Sequence, residues 1–321
     1  MRTHAAAAHH GFAHDAVCYG SDKQLLAVVV PFLLEGLEAG QPTRVALRER
    51  NAELIRSVMP ATEQLSFVPP SAVYTRPAST IETYRRMLAG HVAAGAQRIR
   101  IVGEVPASEC GMAWQWWARY EAAINYAYQE FPLWAMCAYD TRLTTPQVLD
   151  DVARTHQFLV DGDGRRVVND RFTDPVAFLT EPRSSIADPL ESSPPISELV
   201  NPTPTVARRA VLDASRGTRL PTADVEDLVI AVSETVTNAI CHGHPPVQLR
   251  IWPGPDRIVV TVTDEGGGPT DPFAGLLPAA SAPVGGLGLW VTYQLCELVT
   301  IDRGERGCTI RLVAGKPSPA S

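Results

Sequence analysis

Three polar residues recur at four-residue spacing in the stretch PTADVEDLVIAVSETVTNAICHG, residues 221–243. Glu234, Asn238 and His242 stand at i, i+4 and i+8, so a helix would carry them on one face. Val225, Leu228, Val229, Val232, Val236 and Ile240 supply the apolar stripe opposite. Thr222 is placed to cap this helix, and Asp224 and Glu226 suit the positive end of its dipole. A polar row of this kind is also what a plain solvated helix face would show. Downstream, a strand-like run, Arg257 to Thr263, leads into Asp264-Glu265-Gly266-Gly267-Gly268-Pro269. An aspartate delivered into a glycine turn lets backbone approach a flat ligand and offers a carboxylate to an amino group such as that of adenine. Gly285-Gly286-Leu287-Gly288 then opens the helical pattern Val291–Leu298. The free N–H groups of such a helix start form an anion site suited to phosphates. A β pair, Leu298–Asp302 and Cys308–Val313, follows, with Gly307 and Thr309 at its turn. Each glycine motif is weak alone, but the ordered set within about 90 residues is specific.

The first half offers a different chemistry. Cys137 stands at the end of a strand-like run, where ligands tend to bind, and Cys18, Cys110, His14 and His156 are candidates to converge on it as a redox or metal sensor. Ordinary buried thiols are the plainer alternative. Trp114, Trp116, Trp117, Tyr120, Tyr126 and Tyr128 could line a pocket, but their helical spacing favours core packing. His4, His9, His10 and His14 read as a loose tail rather than a metal site. No GxxxxGK[ST] or GxGxxG follows the first strand-like run, where the chain reads Cys18-Tyr19-Gly20-Ser21-Asp22-Lys23, so nucleotide hydrolysis is not expected of this half.

The elements that must position these residues divide the chain in two. Its 321 residues, 45% of them apolar and 20% charged, suit about two globular domains. Residues 182–205, PRSSIADPLESSPPISELVNPTPT, read as a semi-extended spacer without a core. Before it, helical segments at Gln24–Ala39, Ala52–Met59, Thr80–Ala94, Ala113–Glu130 and Pro146–Phe158 alternate with strands at Thr43–Leu47, Leu65–Val68, Arg98–Val102 and Leu133–Ala138. That alternation predicts an α/β domain with a mainly parallel sheet and helices on both faces. The Gly/Ala/Pro-rich stretch Pro269–Pro283 is a loop within the second domain. A net charge of −7 argues against direct nucleic-acid or anionic-lipid binding by the chain as a whole. The longest apolar run, Leu25 to Leu34, is about half of what a bilayer requires. The N-terminus lacks a signal-peptide pattern. Six scattered cysteines without a CxxC pair read as reduced thiols, so a cytoplasmic location is expected.

Residues 10–181 resemble the MEDS family of sensory domains. The matching pieces are His14-Asp15 with Tyr19, Pro31-Phe32-Leu33, Glu35-Gly36-Leu37, Gly103-Glu104-Val105, Trp117-Ala118-Arg119-Tyr120-Glu121, Asn125, Cys137-Ala138-Tyr139-Asp140 and Thr155-His156. The resemblance implies a sensor without naming its signal. Residues 206–315 resemble the GHKL fold, an α+β Bergerat-type ATPase sandwich, most closely in its anti-sigma factor serine/threonine kinase branch. That resemblance implies ATP and Mg²⁺ as cofactors. Asn238 would ligate Mg²⁺, Glu234 would act as catalytic base, and Asp264 would bind adenine with Thr309 beside it. Gly266 and Gly268 would line the base pocket, and the Gly286-Leu287-Gly288 loop would hold the phosphates. His242 would have a supporting role, and Pro269–Val284 would be the ATP lid. The implied partners are a sigma factor and a STAS-type anti-anti-sigma antagonist, and a homodimer is expected by analogy. Two alternatives stand beside this: a nucleotide-binding module that sequesters its partner without turnover, and an unorthodox histidine kinase. No histidine lies between His156 and His242, which disfavours the latter.

Overall fold

The computed structural model of the chain describes residues 11–105, 114–183, 187–278, 287–304 and 307–315. They form two compact units, the first drawn from residues up to Phe178 and the second chiefly from Leu179 onward. Among the described residues no helix is long and apolar enough to cross a membrane.

In the first unit strands and helices alternate: β1 (Ala13–Tyr19), α1 (Asp22–Glu38), β2 (Thr43–Ala46), α2 (Glu49–Arg56), β3 (Leu65–Phe67), α3 (Pro77–Ala93), β4 (Ile99–Gly103), α4 (Trp114–Ala127), β5 (Leu133–Asp140), α5 (Pro146–Thr155), β6 (Phe158–Val160), β7 (Arg166–Val168) and α6 (Pro175–Thr180). Among the described residues the sheet has seven strands in the order β3-β2-β4-β5-β1-β6-β7. All neighbours are parallel except β6 and β7, a short antiparallel hairpin at one edge. The central strands β1 and β5 are buried along nearly their whole length. This is why β5 reads as an apolar run rather than as an alternation. In α1, Ser21 caps the helix by accepting from the Gln24 N–H, and Leu25, Val28, Val29, Phe32 and Leu33 turn inward. α5 stops at Thr155, short of the expected Phe158. His156 takes an extended conformation there, because Phe158 to Val160 enters the sheet beside β1.

Among the described residues a buried polar network lies at the C-terminal ends of β1 and β4. Asn51 donates to Tyr19 Oη at 2.8 Å and to Glu104 Oε2 at 3.0 Å, and Arg48 Nε donates to Glu104 Oε1 at 2.8 Å. Trp114, Trp116, Trp117, Tyr120 and Tyr128 are buried as the core reading predicts, whereas Tyr126 is exposed.

The second unit contains β8 (Ser197–Val200), α7 (Pro204–Ser215), α8 (Thr222–His242), β9 (Gln248–Pro253), β10 (Arg257–Asp264), α9 (Gly288–Leu295), β11 (Leu298–Gly304) and β12 (Gly307–Gly315). Among the described residues its five strands run β11-β12-β10-β9-β8, antiparallel throughout. α8 packs on β10 and β12 and is flanked by α7 and α9, giving a helical layer over a sheet. α8 starts without a side-chain cap: Pro221 holds the N-cap position and Thr222 is already inside the helix.

The stretch expected to be a coreless spacer is largely folded into this second unit. Pro189–Ser192 form a 3₁₀ turn closed by an Asp188/Glu191 capping box, and β8 pairs with β9. Trp252 Nε1 donates to the Ser193 carbonyl at 2.8 Å. Arg257 reaches Asp188 at 2.9 Å, and Arg311 grips Glu191 through two nitrogens at 2.5 and 3.0 Å. Prolines and serines here serve as turn and cap residues. The segment is held by its backbone ladder and by ion pairs whose distant partners composition cannot reveal.

Candidate functional site

The second unit gathers most of the described candidates around the C-terminal half of α8. Glu234 and Asn238 are both half-buried. Gly288, the first residue of α9, lies directly over them. A β-carbon at Gly288 would stand 2.6 Å from Glu234 Oε2 and 3.2 Å from Asn238 Nδ2. The acid, the amide and the start of the glycine-led helix thus meet at one place. Thr292 secures that first turn by donating to the Gly288 carbonyl at 2.9 Å.

At the other end of the site, β10 delivers Asp264, buried to 7% exposure. Its Oδ1 accepts from the Gly266 N–H at 2.7 Å and the His244 N–H at 3.3 Å. These bonds fix the carboxylate against the turn after α8. A β-carbon at Gly266 would lie 2.7 Å from Asp264 Oδ1 and 3.0 Å from the Gly243 Cα, so only glycine lets the two turns meet. Gly268 adopts φ 72° and sits against Cys308, whose Sγ would lie 2.6 Å from a β-carbon there.

The register corrects one expectation. Thr309 pairs across from Thr263, and their hydroxyls are 2.9 Å apart. Asp264 faces Cys308 instead. Side chains alternate along a strand, so Thr309 points to the opposite face from Asp264. The residue beside the aspartate is Cys308, whose thiol is pushed up to about 11 by burial and by that carboxylate. The sequence signal was Gly307, since the residue following that turn faces Asp264. His242 is exposed, and Leu287 is exposed just before α9. Gly286 and residues 279–284 of the lid stretch lie outside the described residues.

These features suit a nucleotide. The close turns at Gly266 and Gly288 are cradles that a β-carbon would fill, the donor groups are oxygens and an amide, and a helix start faces them.

The first unit holds a second cluster, at the heart of its sheet. His14 on β1, Glu121 on α4, Cys137 on β5 and His156 at the end of α5 are all buried, with one ligand atom from each within 4.8 Å of the others. His14 Nε2 lies 3.1 Å from Glu121 Oε2 and 3.4 Å from Cys137 Sγ. Burial lowers the His14 pKa to about 4 and that of His156 to about 3, so both rings are neutral near pH 7. Burial also raises Glu121 and pushes the Cys137 thiol well up. Of the sequence candidates, His14, Cys137 and His156 are thus brought together. Cys18 is not: it is exposed and four residues along β1 from His14, about 13 Å by strand rise. Cys110, His4, His9 and His10 lie outside the described residues. Glu121 was missed. It stood inside the Trp117–Glu121 motif, but a single carboxylate on an aromatic helix gives no sign of facing inward.

Comparison with known proteins follows the same division. Residues 13–157 match the MEDS model, described as a methanogen/methylotroph, DcmR sensory domain, and residues 199–314 match that of the histidine kinase-like ATPase domain. The chain is 26% identical over 159 residues to the transcriptional repressor DcmR of Methylorubrum extorquens, a match spanning 45% of this chain and 58% of that repressor. Among solved structures, the RsbU and RsbW domains of Rv1364c from Mycobacterium tuberculosis are 21% identical, covering 40% of this chain and 33% of theirs, with a TM-score of 0.28. The histidine kinase domain of a blue-light activated kinase from Erythrobacter litoralis is 22% identical, covering 36% of this chain and 61% of its own, with a TM-score of 0.24. The chain therefore carries a MEDS domain followed by a histidine kinase-like ATPase domain.

Proposed function

We propose that this protein is an anti-sigma regulatory factor. Its second domain binds a sigma factor and, with Mg·ATP, phosphorylates a serine or threonine of a STAS-type antagonist, under control of the MEDS domain. The observation that carries the reading is the meeting of Glu234 and Asn238 with Gly288 at the start of α9. A base, a hard-cation ligand and a phosphate-receiving helix start then share one site. The acceptor is placed on another protein because α7, the helix before α8, is part of the domain core. Its Ala207 and Val211 are buried, and Arg208 donates to Ser233 on α8 at 2.9 Å.

Bound Mg·ATP supplies the phosphoryl group. Asn238 would hold the cation, and Asp264 would select adenine by accepting from its amino group. Glu234 takes the proton from the attacking hydroxyl. The remaining work is positioning, which the glycine turns perform by admitting the ligand close to the backbone.

The test is transfer of labelled phosphate from ATP to candidate antagonists by the full chain. Glu234→Gln is expected to lower transfer by about 10²-fold or more, the usual worth of a general base, with nucleotide affinity nearly unchanged. Equal labelling by both proteins removes Glu234 from the mechanism. Nucleotide binding without any transfer identifies a module that sequesters its partner without turnover.

A further inference from the structure

The buried cluster in the MEDS domain holds more lone pairs than protons. Asn125 Nδ2 donates to the carbonyls of Glu121 at 2.9 Å and Thr155 at 2.8 Å. Its Oδ1 is thereby turned to His14 Nδ1, 3.2 Å away, and must accept from it. His156 Nδ1 lies 2.8 Å from the Val152 carbonyl, which also can only accept. Both rings therefore carry their proton on Nδ1 and present a bare Nε2 lone pair to the cluster. This is the arrangement that outer hydrogen bonds impose on ligating histidines. Tyr139 Oη occupies Glu121 Oε1 at 3.0 Å, leaving Oε2 to face the two rings. His156 Nε2 is fully buried and has no hydrogen-bond partner. Lone pairs of two imidazoles and a carboxylate thus converge with one thiol, in a space that offers too few protons to satisfy them.

The spacing suits a tetrahedral ion. Bonds of about 2.0–2.1 Å to nitrogen or oxygen and about 2.3 Å to sulfur put neighbouring ligand atoms about 3.3–3.7 Å apart. Four of the six separations here are 3.1, 3.4, 3.5 and 3.8 Å. The geometry points to a transition-metal site formed by His14, Glu121, Cys137 and His156, with Zn²⁺ as the fitting ion. A divalent ion bound by one thiolate, one carboxylate and two neutral imidazoles gives a centre of zero net charge, which suits a buried site. The mixed N, O and S donor set selects zinc-like ions over Mg²⁺ or Ca²⁺. The site ties β1, α4, β5 and the end of α5 together, so its occupancy bears on the fold of the sensor.

The experiment is metal analysis of the full chain after loading with Zn²⁺ and gel filtration, with Co²⁺ as spectroscopic probe. One equivalent of zinc per chain is expected. The cobalt form should show a thiolate-to-metal charge-transfer band and the visible bands of tetrahedral cobalt. Cys137→Ser should abolish the charge-transfer band, and His156→Ala should weaken binding at least tenfold. Cys18→Ser and Cys241→Ser, at exposed thiols, should leave both readouts intact, as should replacement of His4, His9 and His10 by alanine. Should Cys137→Ser fail to fold, the wild-type cobalt spectrum and its survival in these control variants decide the matter. Substoichiometric uptake by folded wild type, a cobalt spectrum without the thiolate band, or loss of metal with the three tail histidines would overturn the assignment.

Discussion

At the residue scale, the proposed nucleotide site turns on which side chains share a face. Glu234 and Asn238 do so because they lie one turn apart on a long helix. Their partner Gly288 comes from a segment fifty residues farther along the chain than Asn238. The β10–β12 register decides the other end, where Cys308 rather than Thr309 stands beside Asp264. Thr309→Ala should therefore leave nucleotide affinity within about twofold, since its hydroxyl bonds Thr263 and its loss is worth about 1 kcal/mol of stability. Cys308→Phe should suppress binding by filling space against Gly268 and Asp264. Titration calorimetry on both variants checks the pair. The reverse ranking would place Thr309 back in the pocket.

At the element scale, two segments have roles their composition conceals. The start of α9 must be glycine for a reason outside the helix. Gly288→Ala improves helix propensity by about 1 kcal/mol, but its β-carbon would push aside Glu234 and Asn238. The flexible ends of those side chains can yield, so thermal stability should hold while nucleotide affinity falls more than tenfold. An unchanged dissociation constant would show that the phosphates do not approach this turn. The second segment is residues 187–200. A fragment of residues 187–315 should unfold cooperatively in urea. One of residues 206–315 should lose about 3 kcal/mol or more, the cost of breaking buried ion pairs, because Arg257 and Arg311 lose Asp188 and Glu191 and β9 loses β8. Equal midpoints and slopes for the two fragments would return this stretch to the role of spacer.

At the scale of the whole molecule, the chain joins two units with separate cores and separate clusters of chemistry. Calorimetric unfolding of the full protein should show Mg·ATP raising the transition that belongs to the ATPase domain. A ligand at one hundred times its dissociation constant adds about 2.7 kcal/mol to the state it binds. A scan indifferent to millimolar nucleotide would contradict the proposed site. Much of this organisation was legible in the amino-acid order alone. Helices α1, α5 and α8, the strands β2 to β5, and the Glu234–Asn238 row follow from local periodicity and turn chemistry, which depend only on near neighbours in the chain. The tertiary structure alone decided the rest. Glu121 joins His14, Cys137 and His156, Cys308 displaces Thr309, and a proline- and serine-rich stretch becomes an edge strand. Each of these depends on strand register or on a partner far away in sequence. Register is set by packing summed over a whole sheet, and no window of neighbouring residues contains that sum.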